Sequence, residues 1–285
     1  EPRIVLAAHF KDLGGGFTVR RLLPAVSQRA VGPFVFFDHF GPVDAGPDDK
    51  ILVPATGDAS RFVGVHLSRD GRWLFVTHQH GWNRTDVFYK DMSEGTAPHS
   101  DDIHAPPGFR TLIAGQPAIY DVIAWRGAFY VHTDDGAPRY RIFKVDPARP
   151  ARADWREIVG QQAATLEGAQ IVGDRLVLSY LRDAHSELAI HDLGGAPLGR
   201  IALPGLGTTS GLIGEPDDPR AYSHFTSFTP PDQIYEAALP RAETRLWREV
   251  DVPVGEAQIE GQRRVFLAET VQHPGDIGFA EGDGG

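Results

Sequence analysis

Cysteine is absent from the 285 residues. Disulfides, thiolate catalysis and Cys-ligated zinc are thereby excluded. The same absence does not separate cytoplasm from periplasm. An excess of positive charge is missing too: 28 Lys and Arg stand against 38 Asp and Glu, a formal net charge of −10. No cationic face arises by default, so a nucleic-acid partner is not expected. No apolar run reaches the ~18 residues of a membrane span, and no signal peptide is recognisable. A soluble chain is expected, cytoplasmic or periplasmic, with no membrane partner. A serine nucleophile elbow, Gly-x-Ser-x-Gly between strand and helix, is also lacking. The nearest stretch, Gly207-Thr208-Thr209-Ser210-Gly211, has its serine one position late. Long amphipathic helical periodicity is scarce.

What is present is a repeated β pattern. A polar turn, Ser68-Arg69-Asp70-Gly71, leads into the apolar run Trp73 to Thr77. A Gly-Trp-Asn turn follows, then the run Asp86 to Tyr89. The same order returns as Arg126-Gly127, Ala128 to Thr133, Asp134-Asp135-Gly136-Ala137-Pro138 and Arg141 to Val145. Recurrence at about 50 residues, with several short strands per unit, marks a β-propeller. Units run from Arg61 to Ile113, Ala118 to Val159, Thr165 to Leu203 and Gly211 to Val250. Later strands are expected at Ala169 to Val172, Arg175 to Tyr180, Glu187 to His191, Gly199 to Ala202, Ala221 to Phe225, Gln233 to Ala237 and Thr244 to Arg248. Phe, Tyr, Val, Ile and Trp dominate these runs, as a half-buried pleated surface requires. Content of 32 Gly and 22 Pro suits a fold of many turns. The expected fold is all-β: a propeller of about four blades, near the low end of the propeller range. The terminal runs Phe17 to Leu23, Phe34 to Phe37 and Arg263 to Ala268 would supply any fifth blade.

Several phrases carry a family resemblance: LSRDGRWLFV, TDDGAPRYRIFKVDPARPARADWREIV, LVLSYLRDAHSELAIHDLGGAPLGRIALPGLG and AYSHFTSFTPPDQIYEAAL. Over residues 61–253 the chain resembles the later blades of the propeller domain of prolyl oligopeptidase, a serine peptidase of family S9. In that family the Ser, Asp and His of catalysis sit in a separate α/β-hydrolase domain. The resemblance therefore implies a propeller module that gates or scaffolds, non-catalytic alone. Its implied partners are an α/β-hydrolase domain or short proline-containing peptides, and self-association through an exposed propeller face is a further expectation. The alternative within this resemblance is a fragment of a proline-specific serine endopeptidase.

The N-terminus resembles a different family. Arg20-Arg21-Leu22-Leu23-Pro24 and Val31-Gly32-Pro33-Phe34-Val35-Phe36-Phe37-Asp38-His39-Phe40-Gly41-Pro42 are similar to the opening of pirins, double cupins with a metal in the first barrel. The His-Pro-His motif that supplies pirin ligands is missing. His273-Pro274-Gly275-Asp276 is faintly similar to a cupin turn. The expected organisation is a pirin-like segment and linker over 1–50, propeller blades over 51–253 and a tail over 254–285. A pirin-type metal protein or dioxygenase is the second functional alternative.

Individual residues complete the expectations. His78 and His80 form a His-x-His pair whose side chains share one strand face, a legitimate metal-ligand geometry. No third ligand has a fixed place beside them, so a strand end next to the Gly81-Trp82 turn is the preferred reading. His99, Asp101, Asp102 and His104 form a polar group in a Pro/Gly-rich loop that reads as solvated. His39, among Phe36, Phe37 and Phe40, reads as packing. No cofactor or metal is therefore expected. The resemblance aligns Gln79 and Trp82 with the propeller loop that overhangs the substrate cavity. There Trp82 would stack on a proline-like or aromatic group; the plainer reading has it anchoring its own turn. Arg139 and Arg141 are expected to pair with Asp134 or Asp135 on the surface.

Overall fold

Turns in the sequence become hairpin turns in the structure, and the apolar runs between them become strands. The computed structural model describes residues 4–7, 17–21, 50–53, 58, 60–94, 105–227, 232–239 and 241–249. Strands β1 (Ile4–Ala7), β2 (Phe17–Arg21) and β3 (Lys50–Val53) form an antiparallel sheet in the order β1-β2-β3. Phe17–Arg21 thus pairs within this small sheet and not within a blade; 34–37 and 263–268 lie outside the described residues.

Four consecutive meanders follow. The first holds β4 (Arg61–Leu67), β5 (Trp73–His80), β6 (Thr85–Asp91) and β7 (Arg110–Ile113). The second holds β8 (Tyr120–Trp125), β9 (Ala128–Thr133), β10 (Arg141–Val145) and β11 (Arg156–Val159), with a short 3-10 turn at Arg152–Asp154 before β11. The third holds β12 (Thr165–Val172), β13 (Arg175–Arg182), β14 (His185–His191) and β15 (Pro197–Ile201). The fourth holds β16 (Thr208–Thr209), β17 (Ile213–Gly214), β18 (Arg220–Thr226), β19 (Gln233–Ala238) and β20 (Glu243–Glu249). In that last blade the first strand is broken, and both of its pieces pair with β18. No α-helix appears among the described residues.

The polar turns are built by their own side chains. Ser68 Oγ donates to Asp70, and it accepts the Trp73 amide at 2.8 Å. Gly71 supplies the left-handed residue of that turn.

Blade packing follows from strand alternation. On β9, Phe129 and Val131 face the first blade, while Ala128 and Tyr130 face the third. The first seam joins Trp73, Phe75 and Tyr89 to Phe129, with ring centroids 4.9–5.2 Å apart and steep interplanar angles. The second seam joins Tyr130 and Ile142 to Leu176, Leu178 and Tyr180; the third joins Val177 and Ile190 to Leu212 and Ala221. Turns between first and second strands are linked in series. Trp125 Nε1 donates to Asp174 at 2.8 Å, and the Gly173 and Asp174 amides donate to the carbonyls of Glu215 and Pro216. Arg69 reaches Glu215 at 2.8 Å and so ties the first blade to the fourth. On the outward face of the fourth blade Tyr222 and Trp247 meet edge to face at 5.4 Å and are 38% and 51% exposed.

Candidate functional site at the first-blade hairpin

The turn between β5 and β6 presents the most exposed large aromatic of the described residues. Trp82 is 92% exposed at its tip. Gly81 begins the loop at φ +63°, a left-handed value that costs an L side chain about 1–2 kcal/mol. The loop closes when the His80 amide donates to the Arg84 carbonyl at 2.9 Å. Trp82 therefore does not anchor its own turn by packing; backbone closure and the base beneath it do that.

The base is organised around Asp86, which is buried. His80 Nε2 lies 2.8 Å from its Oδ2, and Arg84 contributes contacts of 3.0 and 3.2 Å. The Gly115 amide donates to Oδ1 at 2.8 Å from the connection to the second blade. Burial alone would push the Asp86 carboxyl up. The bonds from Arg84, Gly115 and His80 outweigh burial and hold it below the usual carboxylate range.

His78 and His80 do share a face, as the strand period requires, but their surroundings differ. The His78 ring is buried and meets Phe88 at 5.0 Å and 62°. Burial first, and the Arg61 cation second, lower its pKa to about 4, so the ring is neutral at pH 7. Its Nε2 has no hydrogen-bond partner. His80 is engaged with Asp86. Among the described residues no group of three or more His, Asp or Glu is placed to hold a metal ion. His99, Asp101, Asp102 and His104 lie outside the described residues, as does His39.

Gln79 sits on β5, paired in register with Phe62 of β4 and Thr85 of β6. Opposed residues on adjacent strands share a face, so Gln79 stands beside Phe62, which is 60% exposed. Neither Phe62 nor Asp86 was singled out by sequence reasoning. A signal existed for Asp86: a carboxylate six residues beyond a His-x-His pair, across a tight turn. Arg141 meets Asp135 as expected, but by donating to its backbone carbonyl and not to its carboxylate. Arg141 bonds Glu157 at 2.9 Å, and Arg152 takes the Asp135 carboxylate at 2.9 Å. Asp134 instead accepts the Ile119 amide at 2.7 Å. Ser210 lies just after β16 in a broken edge strand, with no helix behind it.

No helix among the described residues is long and apolar enough to cross a membrane. Comparisons with known proteins agree with the architecture. A 43% identical solved structure, from work on two prolyl endopeptidases and their inter-domain dynamics, superposes with a TM-score of 0.68 over 75% of this chain and 30% of that chain. Prolyl oligopeptidase B from Galerina marginata shares the fold at a TM-score of 0.62 and 17% identity, over 73% of this chain and 29% of that one. A prolyl endopeptidase of Elizabethkingia miricola is 22% identical over 218 residues, 76% of this chain. The chain spans only 29% of that relative's length. A 48-residue stretch is 38% identical to a Pseudomonas aeruginosa protein described as a candidate quercetin 2,3-dioxygenase; it covers 17% of this chain and 15% of that protein. The sequence profile of the prolyl oligopeptidase N-terminal β-propeller domain matches residues 44–250, and the chain belongs to that family.

Proposed function

We propose that this chain acts as the substrate-gating propeller of a prolyl oligopeptidase-type serine peptidase and has no peptidase activity alone. The observation that carries this reading is the family match over residues 44–250 in a sequence without a Gly-x-Ser-x-Gly elbow. Trp82 and Gln79 are the proposed rim residues facing an α/β-hydrolase domain and short proline-containing peptides. Support comes from the exposure of Trp82 on a hairpin pinned at its base. An exposed indole on a hairpin with a fixed base offers a large stacking surface without ordering of the loop backbone. The propeller proper is proposed to occupy 51–253, between an N-terminal segment of pirin type over 1–50 and a tail over 254–285. The pirin assignment rests on the Arg20–Pro24 and Val31–Pro42 phrases.

The test has two arms. Purified chain is incubated with a Gly-Pro chromogenic substrate, and no turnover is expected. Turnover blocked by a serine-directed inhibitor would overturn the non-catalytic assignment. Sedimentation is then run with a separately expressed hydrolase domain of a relative. Association that weakens at least about tenfold in Trp82→Ala, roughly 1.4 kcal/mol, is expected. A hydrolase domain that ignores both proteins, or binds both equally, would refute the rim role.

A further inference from the structure

A recess lies at the seam between the second and third blades, and no residue of the first blade lines it. Its volume is about 460 Å³, within the range of small-molecule sites. Val159 of β11, Leu188 and Ala189 of β14 and Pro197 of β15 give it an apolar lining. Gly199 keeps one wall low: a Cβ there would meet nothing within 4 Å.

Gln162, Tyr180, Glu187, His191 and Arg200 are its polar lining, and two of them are donors with capacity to spare. Tyr180 is buried, and its hydroxyl accepts a hydrogen bond from Gln162 Nε2 at 3.2 Å. Its own proton is then left to donate, and the described residues give it no acceptor. Burial pushes this phenol up to about 12, so it stays a neutral donor at physiological pH. Arg200 is the second group, close enough for its charge to act on the Tyr180 hydroxyl. Arg200 shares the Glu187 carboxylate, 3.2 Å away, with Arg182, at 2.7 Å. Two guanidinium cations on one carboxylate leave a surplus of positive charge at the mouth.

We propose that this seam binds a small monocarboxylate with an apolar body, its carboxylate held by Arg200 and the Tyr180 hydroxyl and its body laid along Val159, Leu188 and Ala189. A guanidinium fork matches carboxylate geometry, and a charge-assisted bond is about twice as strong as a neutral one. One surplus positive charge with one neutral donor suits a single negative charge. A phosphate dianion would carry more hydration into an apolar lining than these two donors replace. The proposal is independent of the peptidase reading, because it uses none of the hairpin residues.

The probe is 4-phenylbutyrate, with 4-phenylbutanol as its uncharged counterpart, and binding is read by ligand-observed NMR titration of the full chain. Saturable binding of the acid is expected, with the alcohol weaker by about tenfold or more, the loss of a charge-assisted contact. Arg200→Ala is expected to weaken the acid by a similar factor and to leave the alcohol unchanged. Tyr180→Phe should weaken the acid several-fold. Gly199→Val, which fills the open wall, should weaken both ligands. Thermal melts of each variant confirm folding; Arg200 and Gly199 are exposed, so both variants should melt like the parent. No saturable binding of the acid up to ~10 mM, a regime weaker than about −3 kcal/mol, overturns the proposal. Equal binding of acid and alcohol overturns the anionic head, and binding indifferent to Arg200→Ala and Gly199→Val places any site elsewhere.

Discussion

Phe129→Ala tests whether the seams between blades hold the fold together. Phe129 has no exposed surface, and it touches Trp73, Phe75 and Tyr89 of the neighbouring blade at 4.9, 5.1 and 5.2 Å. A buried Phe side chain covers about 150–250 Å². At about 25 cal/mol/Å², its burial is worth roughly 4–6 kcal/mol before the residual Ala contribution is removed. Phe→Ala in a core costs about 3–5 kcal/mol. Three steep ring contacts place this site at the upper end, so a loss of about 4–5 kcal/mol is expected. Domains are typically stable by about 5–15 kcal/mol, so the variant should sit near the edge of folding at 37 °C. The assay is urea unfolding followed by far-UV circular dichroism, with the denaturant slope compared between proteins. Phe62→Ala serves as control, since that ring is largely exposed; it should change stability by less than about 0.5 kcal/mol. A Phe129→Ala loss below about 1 kcal/mol, or one equal to the control, would show that the seam is not a shared core.

Three further outcomes follow from the hairpin base. His78 has its folded pKa depressed to about 4 from the ordinary 6.5. Its neutral-state stabilisation is therefore complete above pH 6.5 and is lost as pH falls towards 4, because the unfolded chain takes up the proton first. His78→Phe, which packs on Phe88 and removes the unpartnered Nε2, should flatten stability between pH 6.5 and 4.5; an unchanged pH slope in urea unfolding would refute it. Asp86→Ala should cost about 3 kcal/mol by leaving the Gly115 amide, Arg84 and His80 without their shared acceptor, and hydrogen exchange at the Gly115 amide should rise; exchange unchanged from the parent would sink the pin. Gly81→Ala should cost about 1–2 kcal/mol through its left-handed φ, measured by thermal melting, whereas a neutral result would mean that the loop relaxes to another turn.

Strand positions were legible where chemistry and period coincided. Ala128–Thr133 and Arg141–Val145 fall where the sequence predicts them, because aromatic and β-branched runs are flanked by Gly and Asp turns. Runs at Trp73, Asp86, Arg175, Glu187, Ala221 and Gln233 are recovered with ends one to three residues longer. Outer strands such as β7 and β11 were not, since four residues that are partly exposed carry neither a run nor an alternation. β16 and β17 were illegible for a related reason: two residues each, joined by a bulge, leave no period to read. At the site, the His-x-His pair was visible and its shared face correctly inferred. What decides the behaviour of that pair is non-local. Phe88 and Asp86 come from the next strand, and the Gly115 amide comes from beyond the blade. The exposure of Trp82 was one of two readings the sequence left open, because a Trp beside a Gly packs on its own turn as readily as it projects from it.

The Gly115 contact changes what the hairpin can do. Gly115 belongs to the connection between β7 and β8, so Asp86 ties the Trp82 turn to the start of the second blade as well as to its own sheet. Thr85 adds a second tie, its amide donating to the Ala118 carbonyl at 2.9 Å. A hairpin held only by its own ladder can bend as a unit against its neighbour. One fixed at two points to the next blade cannot bend without breaking a bond to a buried carboxylate, which costs about 1–3 kcal/mol or more. The tip of the first blade and the frame of the second therefore move together, and Trp82 stands out from a base whose ordering is already complete before any partner arrives. Ordering a loop and its side chains on binding costs about 0.5–1.5 kcal/mol per immobilised group. Under the proposed rim role, a hairpin backbone pinned at Asp86 avoids the loop part of that cost, and only the exposed Trp82 side chain is left to order.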